Sequence, residues 1–428
     1  MLYRSFFLLF LTMLPLTAEA SRPNIILIMA DDIGYECYGC YGSQQYKTPN
    51  IDRLAEKGTR FEHCYSQPLC TPSRVKIMTG LSNARNYSAF SILNRDQRTF
   101  GHVFQAAGYR TFVGGKWQLY GAEHYYYPNR HHAKGTLPAN AGFDEYCLWQ
   151  VEKLGDRYWN PLLDINGKVT QFQPEDYGPD IVTNHICDFM EQKSDKPFFI
   201  YYPMILVHNP FPTTPDSEDP KSKDDQQNFE DMVQYMDKTI GKIVKKTEDL
   251  GIAENTLILV TGDNGTNRKI VSNLNGQEIK GGKGLTTDAG THVALVAYQP
   301  GTVKAGQVCQ DIVDFSDFLP TMQEVAGIAK DESLDGVSFA KALTGTNPNA
   351  REWMYCYYNP RPDRENLKPQ RFTRDQRYKL YGDGRFYDVA NDPLEQTPLE
   401  EKNEAYQKLA AALASMPAES PVLLKFPE

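Results

Sequence analysis

Asn24-Ile25-Ile26-Leu27-Ile28-Met29-Ala30-Asp31-Asp32 is the stretch on which the fold turns. It is continuously apolar after Asn24, rich in β-branched residues, and runs straight into two carboxylates. A strand that is apolar at every position, rather than every second one, is covered on both faces. That is the situation of a central strand in a parallel sheet. Two further runs share the pattern. Residues 197–207, containing Phe198-Phe199-Ile200-Tyr201-Tyr202, lead into His208. Residues 255–261 (NTLILVT) lead into Gly262-Asp263-Asn264-Gly265. Between them, residues 228–250 have helical spacing, with Met232, Tyr235, Met236, Ile240 and Ile243 on one face. Shorter helices are expected at 51–57, after Pro49-Asn50, at 75–79 continuing from Cys70, and at 100–107, followed by a strand at 110–113. Strands alternating with helices predict an α/β fold with helices on both sides of a parallel sheet.

The position of the polar clusters points to a site. Asp31-Asp32, His208 and Asp263-Asn264 each follow an apolar strand, and open α/β sheets bind ligands at the carboxyl ends of their strands. Asp31, Asp32, Asp263 and Asn264 form an all-oxygen set of the kind hard divalent cations prefer. Adjacent carboxylates repel unless a cation or hydrogen bonds neutralise them. Helix and turn capping is the competing reading for either pair alone. Arg74, Lys116, Lys283 and His208 supply positive charge and protons suited to holding a tetrahedral anion and assisting its leaving group. Gly281-Gly282-Lys283-Gly284 lacks the Ser or Thr of a phosphate loop and reads as a flexible loop presenting Lys283.

The 428 residues, 41% hydrophobic, suffice for one large domain and a smaller one. The net charge of −9 argues against nucleic acid as a partner and means that an anionic substrate needs a locally basic pocket. Arg4, the apolar run 6–16 and Ala18-Glu19-Ala20 read as a signal peptide over residues 1–20. The run is too short to span a bilayer, so no stable membrane insertion is expected. The mature chain is expected to start near Ser21 and to work in the periplasm or outside the cell. Eight cysteines do not form a small disulfide scaffold, although an oxidising compartment permits one or two disulfides. Cys37-Tyr38-Gly39-Cys40 has no second pair nearby to complete a zinc site.

The tail reads differently. Residues 377–380 and 385–389 flank Gly382-Asp383-Gly384 as a β-hairpin, and 399–414 as a closing helix. The expected organisation is a catalytic α/β domain over 21–334, a large mixed, mostly parallel sheet sandwiched by helices. A smaller C-terminal α+β subdomain over 335–428 follows, with a small antiparallel sheet.

Several motifs together resemble the type I sulfatases of the alkaline phosphatase superfamily. They are residues 24–32, Thr48-Pro49-Asn50-Ile51-Asp52, Cys70-Thr71-Pro72-Ser73-Arg74 through Thr79-Gly80, and Gly115-Lys116-Trp117. His208 before Pro210, Gly262-Asp263-Asn264-Gly265, Asp335-Gly336 and the run 378–388 complete the set. The resemblance implies hydrolysis of a sulfate ester on a small molecule or polysaccharide. It implies that a maturation enzyme oxidises Cys70 to formylglycine. The hydrated aldehyde then attacks sulfur with one hydroxyl and expels sulfate through the other, which a serine lacks. By the same resemblance, Asp31, Asp32, Asp263, Asn264 and modified residue 70 bind Ca2+ in preference to Mg2+. Arg74 and Lys116 steady residue 70, while Lys283 and His208 hold the sulfate and protonate the leaving oxygen.

Two positions depart from that pattern. Where the family has His after Gly-Lys-Trp, this chain has Gln118, which hydrogen-bonds but is no base near neutral pH. His124, His131 and His132 are candidate substitutes. Where the family has Glu-Gly-Gly-x-Arg, this chain has Asp288-Ala289-Gly290-Thr291-His292. Gln118 keeps open a slow-turnover or non-catalytic binding protein; a related phosphoester hydrolase is the other alternative, disfavoured by the Cys70 motif. Specificity is expected in residues 119–160 and 359–374. Tyr125, Tyr126, Tyr127, Tyr146, Trp149, Tyr158 and Trp159 either stack on sugars or pack among themselves, and Arg130, His131 and His132 are candidates for an acidic sugar.

Overall fold

The structure is a computed structural model that describes residues 22–121, 134–346, 351–362 and 368–420. The signal segment, His124, Tyr125 to Tyr127, Arg130, His131 and His132 lie outside the described residues. Ten strands form one sheet: β1 (Asn24–Ala30), β2 (Thr59–Tyr65), β3 (Arg110–Lys116), β4 (Glu145–Trp149), β5 (Leu162–Ile165), β6 (Lys168–Gln171), β7 (Phe198–Pro203), β8 (Thr256–Gly262), β11 (His292–Tyr298) and β12 (Gln307–Asp314). A hairpin pairs β9 (Val271–Leu274) with β10 (Gln277–Lys280). A second sheet joins β13 (Met354–Tyr358), β14 (Gln370–Arg374), β15 (Tyr378–Tyr381) and β16 (Phe386–Asp388) in antiparallel order.

The large sheet runs β12-β2-β11-β8-β1-β7-β3-β4-β5-β6. β8, β1, β7, β3 and β4 are parallel neighbours; β11 and β5 enter antiparallel. The expected mixed, mostly parallel sheet is therefore present. All seven residues of β1 are buried. Ile26, Ile28 and Ala30 join the core on one face, with helices Gly178–Glu191 and Asp225–Asp249. Ile25, Leu27 and Met29 join the core on the other, with helices Cys70–Thr79 and Phe100–Ala106. The alternation of side chains along a strand converts one continuous apolar run into two cores.

Element ends differ from the sequence reading where chemistry outvotes hydropathy. β3 continues past Val113 through Gly114 and Gly115 to Lys116. A Cβ on Gly115, at φ +117°, would lie 1.9 Å from the Pro203 carbonyl oxygen, so only glycine lets β3 pass β7 this closely. β7 stops at Pro203, four residues before the predicted end. The long helix starts at Asp225 because the Asp224 carboxylate accepts from the N–H groups of Gln226 and Gln227. The closing helix begins late, at Glu404, capped by Asn403.

All eight cysteines are free thiols, so the permitted disulfides do not form. Seven are buried, and the Cys37 sulfur faces Thr266 and Ser272 rather than Cys40.

Candidate active site

Four adjacent parallel strands deliver their carboxyl ends to one place. β8 ends in Asp263-Asn264, β1 in Asp31-Asp32, β3 in Lys116, and β7 continues to His208. Asp32 takes a left-handed conformation, φ +63°, which turns its carboxylate back toward β8. Its N–H donates to Asp263 Oδ1 at 3.0 Å, and Asn264 Nδ2 donates to Asp32 Oδ1 at 2.9 Å.

Cys70 opens the helix Cys70–Thr79. Its motif neighbours explain themselves locally. Thr71 Oγ1 accepts from the Ser91 N–H at 3.1 Å, and Ser73 Oγ bonds both the N–H and the carbonyl of Gln67. Arg74 is fully buried and donates to the carbonyls of Lys116 (2.5 Å) and Trp117 (3.2 Å), fastening the turn that carries Gln118. The Cys70 thiol donates to Gln118 Oε1 at 3.4 Å. Burial pushes this thiol up, against the pull of Lys116, so unmodified Cys70 is a neutral thiol and a poor nucleophile.

The charges are arranged in pairs. Lys116 Nζ donates to Asp31 Oδ2 at 2.7 Å with both groups wholly buried. Lys283 Nζ donates to Asp32 Oδ2 and stands 3.0 Å from His208 Nε2; His208 Nε2 is 3.5 Å from Asp32 Oδ2. Burial opposes ionisation of Asp31, but Lys116, His208, Arg74 and Lys283 outweigh it and hold the carboxyl far below its usual range. Asp32 is lowered against burial by His208 and Lys283. Asp263 goes the other way, pushed well up by burial and by the charges of Asp31 and Asp32. Burial also lowers His208, to about 3, with Lys116 and Lys283 adding to it.

The donor set fits a hard cation. Asp31 Oδ1, Asp263 Oδ2 and Asn264 Oδ1 are buried without a hydrogen-bond partner among the described residues. Arg74 Nε lies 3.8 Å from Asp263 Oδ2, beyond hydrogen-bond range. Ligand atoms of Asp31, Cys70 and Asp263 all lie within 4.8 Å of one another. Buried oxygens are expensive to leave unpaired, and carboxylate and carbonyl oxygens converging on one point suit Ca2+ or Mg2+.

Lys283 is presented by a loop that is packed, not flexible as the glycines suggested. Its neighbours bond outward: Gly281 N–H to the Ile270 carbonyl, Lys283 N–H to Thr266, and Gly284 N–H to Pro68 at 2.7 Å. A Cβ on Gly282 would lie 2.4 Å from the Ala289 backbone, so the glycines serve close approach. Asp288, at the far end of this loop, is gripped by Arg374 Nη1, 2.6 Å from each carboxylate oxygen. Arg374, which the sequence placed in a specificity segment, thus belongs to the packing between the two sheets.

Of the aromatic residues singled out, Trp149 and Tyr158 are buried and Trp159 is half-buried against Tyr177. Packing is therefore their main work, with Trp159 also lining a cavity of about 860 Å³ that includes Gln150, Arg157 and His208. Arg157 and Gln150 carried no sequence signal beyond lying in the segment 119–160. Their proximity to His208 arises only when β4 is laid beside β3.

The family model "Sulfatase" matches residues 23–328, and "N-sulphoglucosamine sulphohydrolase, C-terminal" matches 282–419. Arylsulfatase A of Bos taurus is 31% identical over 81% of this chain and 72% of its own. Among solved structures, Ps i-CgsB in complex with k-i-k-neocarrahexaose has a TM-score of 0.79 at 24% identity, over 95% of both chains. A protein solved with its substrate D-glucosamine-2-N,6-O-disulfate has a TM-score of 0.75 at 22% identity, over 92% of this chain and 97% of the other. No described helix is long and apolar enough to cross a membrane. With its cysteine-initiated helix facing carboxylates at the ends of β1 and β8, and with a sulfatase match across most of its length, the chain belongs to the type I sulfatase family of the alkaline phosphatase superfamily and is a sulfuric ester hydrolase.

Proposed function

We propose that the protein is an exported sulfatase that removes sulfate esters from carbohydrate, with a formylglycine made from Cys70 and one calcium ion. The observation that carries this reading is the shared cluster of Asp31, Cys70 and Asp263, with orphaned oxygens of Asp31, Asp263 and Asn264 around it. Asp31, Asp32, Asp263, Asn264 and residue 70 would hold the cation. When bound, it supplies the positive charge that draws a sulfate oxygen and the nucleophile together. Lys116 and Arg74 would steady residue 70 from the β3 side, Arg74 by holding the turn that carries Gln118 and Lys116 by holding Asp31. Lys283 Nζ and His208 Nε2, 3.0 Å apart, would hold the sulfate oxygens, and Lys283, the charged group of the two, would hand a proton to the leaving ester oxygen. Lys283 is suited to holding the anion, because Asp32 keeps it charged despite burial. A carbohydrate substrate is supported by the saccharides bound in two structural neighbours.

Mass spectrometry of the Cys70 peptide, after production with a formylglycine-generating maturation enzyme, is expected to show the aldehyde, with turnover of sulfated sugars in step with its fraction. The N-terminal peptide of the exported protein is expected to begin near Ser21. Full turnover with Cys70 unmodified would overturn the reading.

One observation favours slow turnover. Gln118 occupies the place next to Cys70 where the resembling family has a histidine, and an amide removes no proton at neutral pH.

A further inference from the structure

The cavity of about 860 Å³ beside His208 contains a guanidinium that nothing in the sulfate site requires. Arg157 Nη1 stands 3.1 Å from His208 Nδ1, on the opposite side of the imidazole from Lys283, which faces Nε2. The guanidinium lies over the Trp149 ring, 4.0 Å from its centroid, so an indole face fixes its plane. Among the described residues no carboxylate lies within ion-pair distance of it, and no other protein acceptor takes its remaining N–H groups. Asp156, on the same wall, is exposed and does not pair with it. A half-buried, immobilised and unpaired arginine in an acidic protein is a built receptor for an oxyanion. The rest of the wall, Trp159, Gln171 and Asn209, offers a ring face and amides suited to a sugar.

Resting on the sulfatase reading, we propose that this cavity receives the leaving saccharide and that Arg157 clamps a second anionic group on it, a carboxylate or another sulfate. The two anions would flank His208: the ester to be cleaved against Lys283 and Nε2, the second against Arg157 on the Nδ1 side. One imidazole ring separates the cations, a spacing that substituents of a single sugar or of neighbouring sugars span. The substrate class is therefore a saccharide with at least two anionic groups, not a simple monosulfate.

Binding reads this without turnover. Calcium-supplied full-length protein with Cys70 unmodified is titrated calorimetrically with N-acetylglucosamine 6-sulfate, with glucosamine 2-N,6-O-disulfate, and with a glucuronate-containing disaccharide 4-sulfate. The wild type is expected to prefer the ligands with two anions. Arg157→Met is expected to weaken those roughly 10- to 100-fold, the range of a charge-assisted hydrogen bond, and the monosulfate less than about threefold. Arg157→Lys is expected to restore part of the preference. Comparing the disulfate with the uronate ligand tells a sulfate from a carboxylate as the second group. An equal loss on all ligands would show that Arg157 acts only through His208, and no loss would show no contact; either overturns the inference alone. Failure of the wild type to bind any sulfated sugar overturns the carbohydrate-sulfatase reading together with it.

Discussion

Gln118 holds a left-handed backbone, φ +48°, with its Oε1 3.4 Å from the Cys70 sulfur. Its neighbours are buried, and the residue itself is 3% exposed. In the mechanism proposed above, an amide there would orient whatever stands at position 70 and leave proton removal during sulfate release to another group. Rapid-mixing assays on matured enzyme are therefore expected to show a burst of desulfated sugar followed by a slow steady state. Gln118→His is expected to raise the steady rate roughly 10-fold or more, within the span of general-base catalysis, while leaving the burst amplitude unchanged. A linear wild-type trace would mean that the base is already present. At this scale the sequence was most legible where chemistry follows a buried strand: Asp31, Asp32, Asp263 and Asn264 sit at strand ends because the strands are apolar until those residues. Arg157 and Gln150 were illegible, because their meaning lies in β4 pairing with β3 and not in local pattern.

The segment from Gly281 to Thr291 shows how an element's role escapes a one-dimensional reading. Its glycines looked like freedom; the fold uses them for contact, with Gly290 and Gly282 pressed against neighbouring backbone. The rigidity of the loop is enforced from outside. Arg374 on β14 pairs with Asp288, and Lys379 on β15 donates to the Thr286 carbonyl at 2.6 Å and to Glu395 at 2.8 Å. Burial works against ionised Asp288, yet Arg374 and Lys379 hold its carboxyl well below the ordinary value. Removing one partner of a buried pair strands the other charge. Arg374→Met is thus expected to destabilise the protein by about 3–5 kcal/mol and to raise KM, because the loop that aims Lys283 loses its anchor. Urea denaturation and steady-state kinetics on one preparation measure both. A large loss of stability with KM unmoved would separate the clamp from the site.

At the scale of the whole molecule, the interface between the large sheet and the small one is built from charges and rings, and so it titrates. His63 and His292 stack beside Tyr65, under Arg374. Burial, with Arg374 adding to it, pushes His63 down to about 4; burial pushes His292 to about 3 despite Asp288. Both are neutral in the fold, whereas an unfolded histidine charges at about pH 6.5. Below that pH these two sites bind more protons in the unfolded chain than in the native one, so the stability they contribute falls from about pH 6.5 toward pH 4. Urea midpoints at about pH 7 and about pH 4.5 are expected to differ in the wild type and to differ less in His63→Phe.

The same interface decides what the division at residues 334 and 335 means. It is proposed as a boundary of topology and not of stability. Tyr65 of β2 and Ile312 of β12 share one apolar cluster with Met354, Cys356, Phe372 and Tyr381 of the small sheet. Lys76, buried in the Cys70 helix, donates to Asp314 at 2.6 Å and to the Tyr355 carbonyl at 3.2 Å. Asp317 is paired by Arg351. A chain cut after residue 334 would keep Asp288 and Asp317 while losing Arg374, Lys379 and Arg351. Each stranded carboxylate costs several kcal/mol, comparable with the total stability of a domain. The overlap of the two family matches, over 282–328, follows the same logic: the loop that carries Lys283 belongs to both halves. Residues 21–334 produced alone are expected to give no cooperative unfolding transition and no calcium-dependent shift in Tm, whereas the full chain gives both. A truncated protein that unfolds cooperatively and answers to calcium would show that the large sheet holds the proposed metal ligands unaided, and that the buried ion pairs across the interface contribute specificity instead of stability.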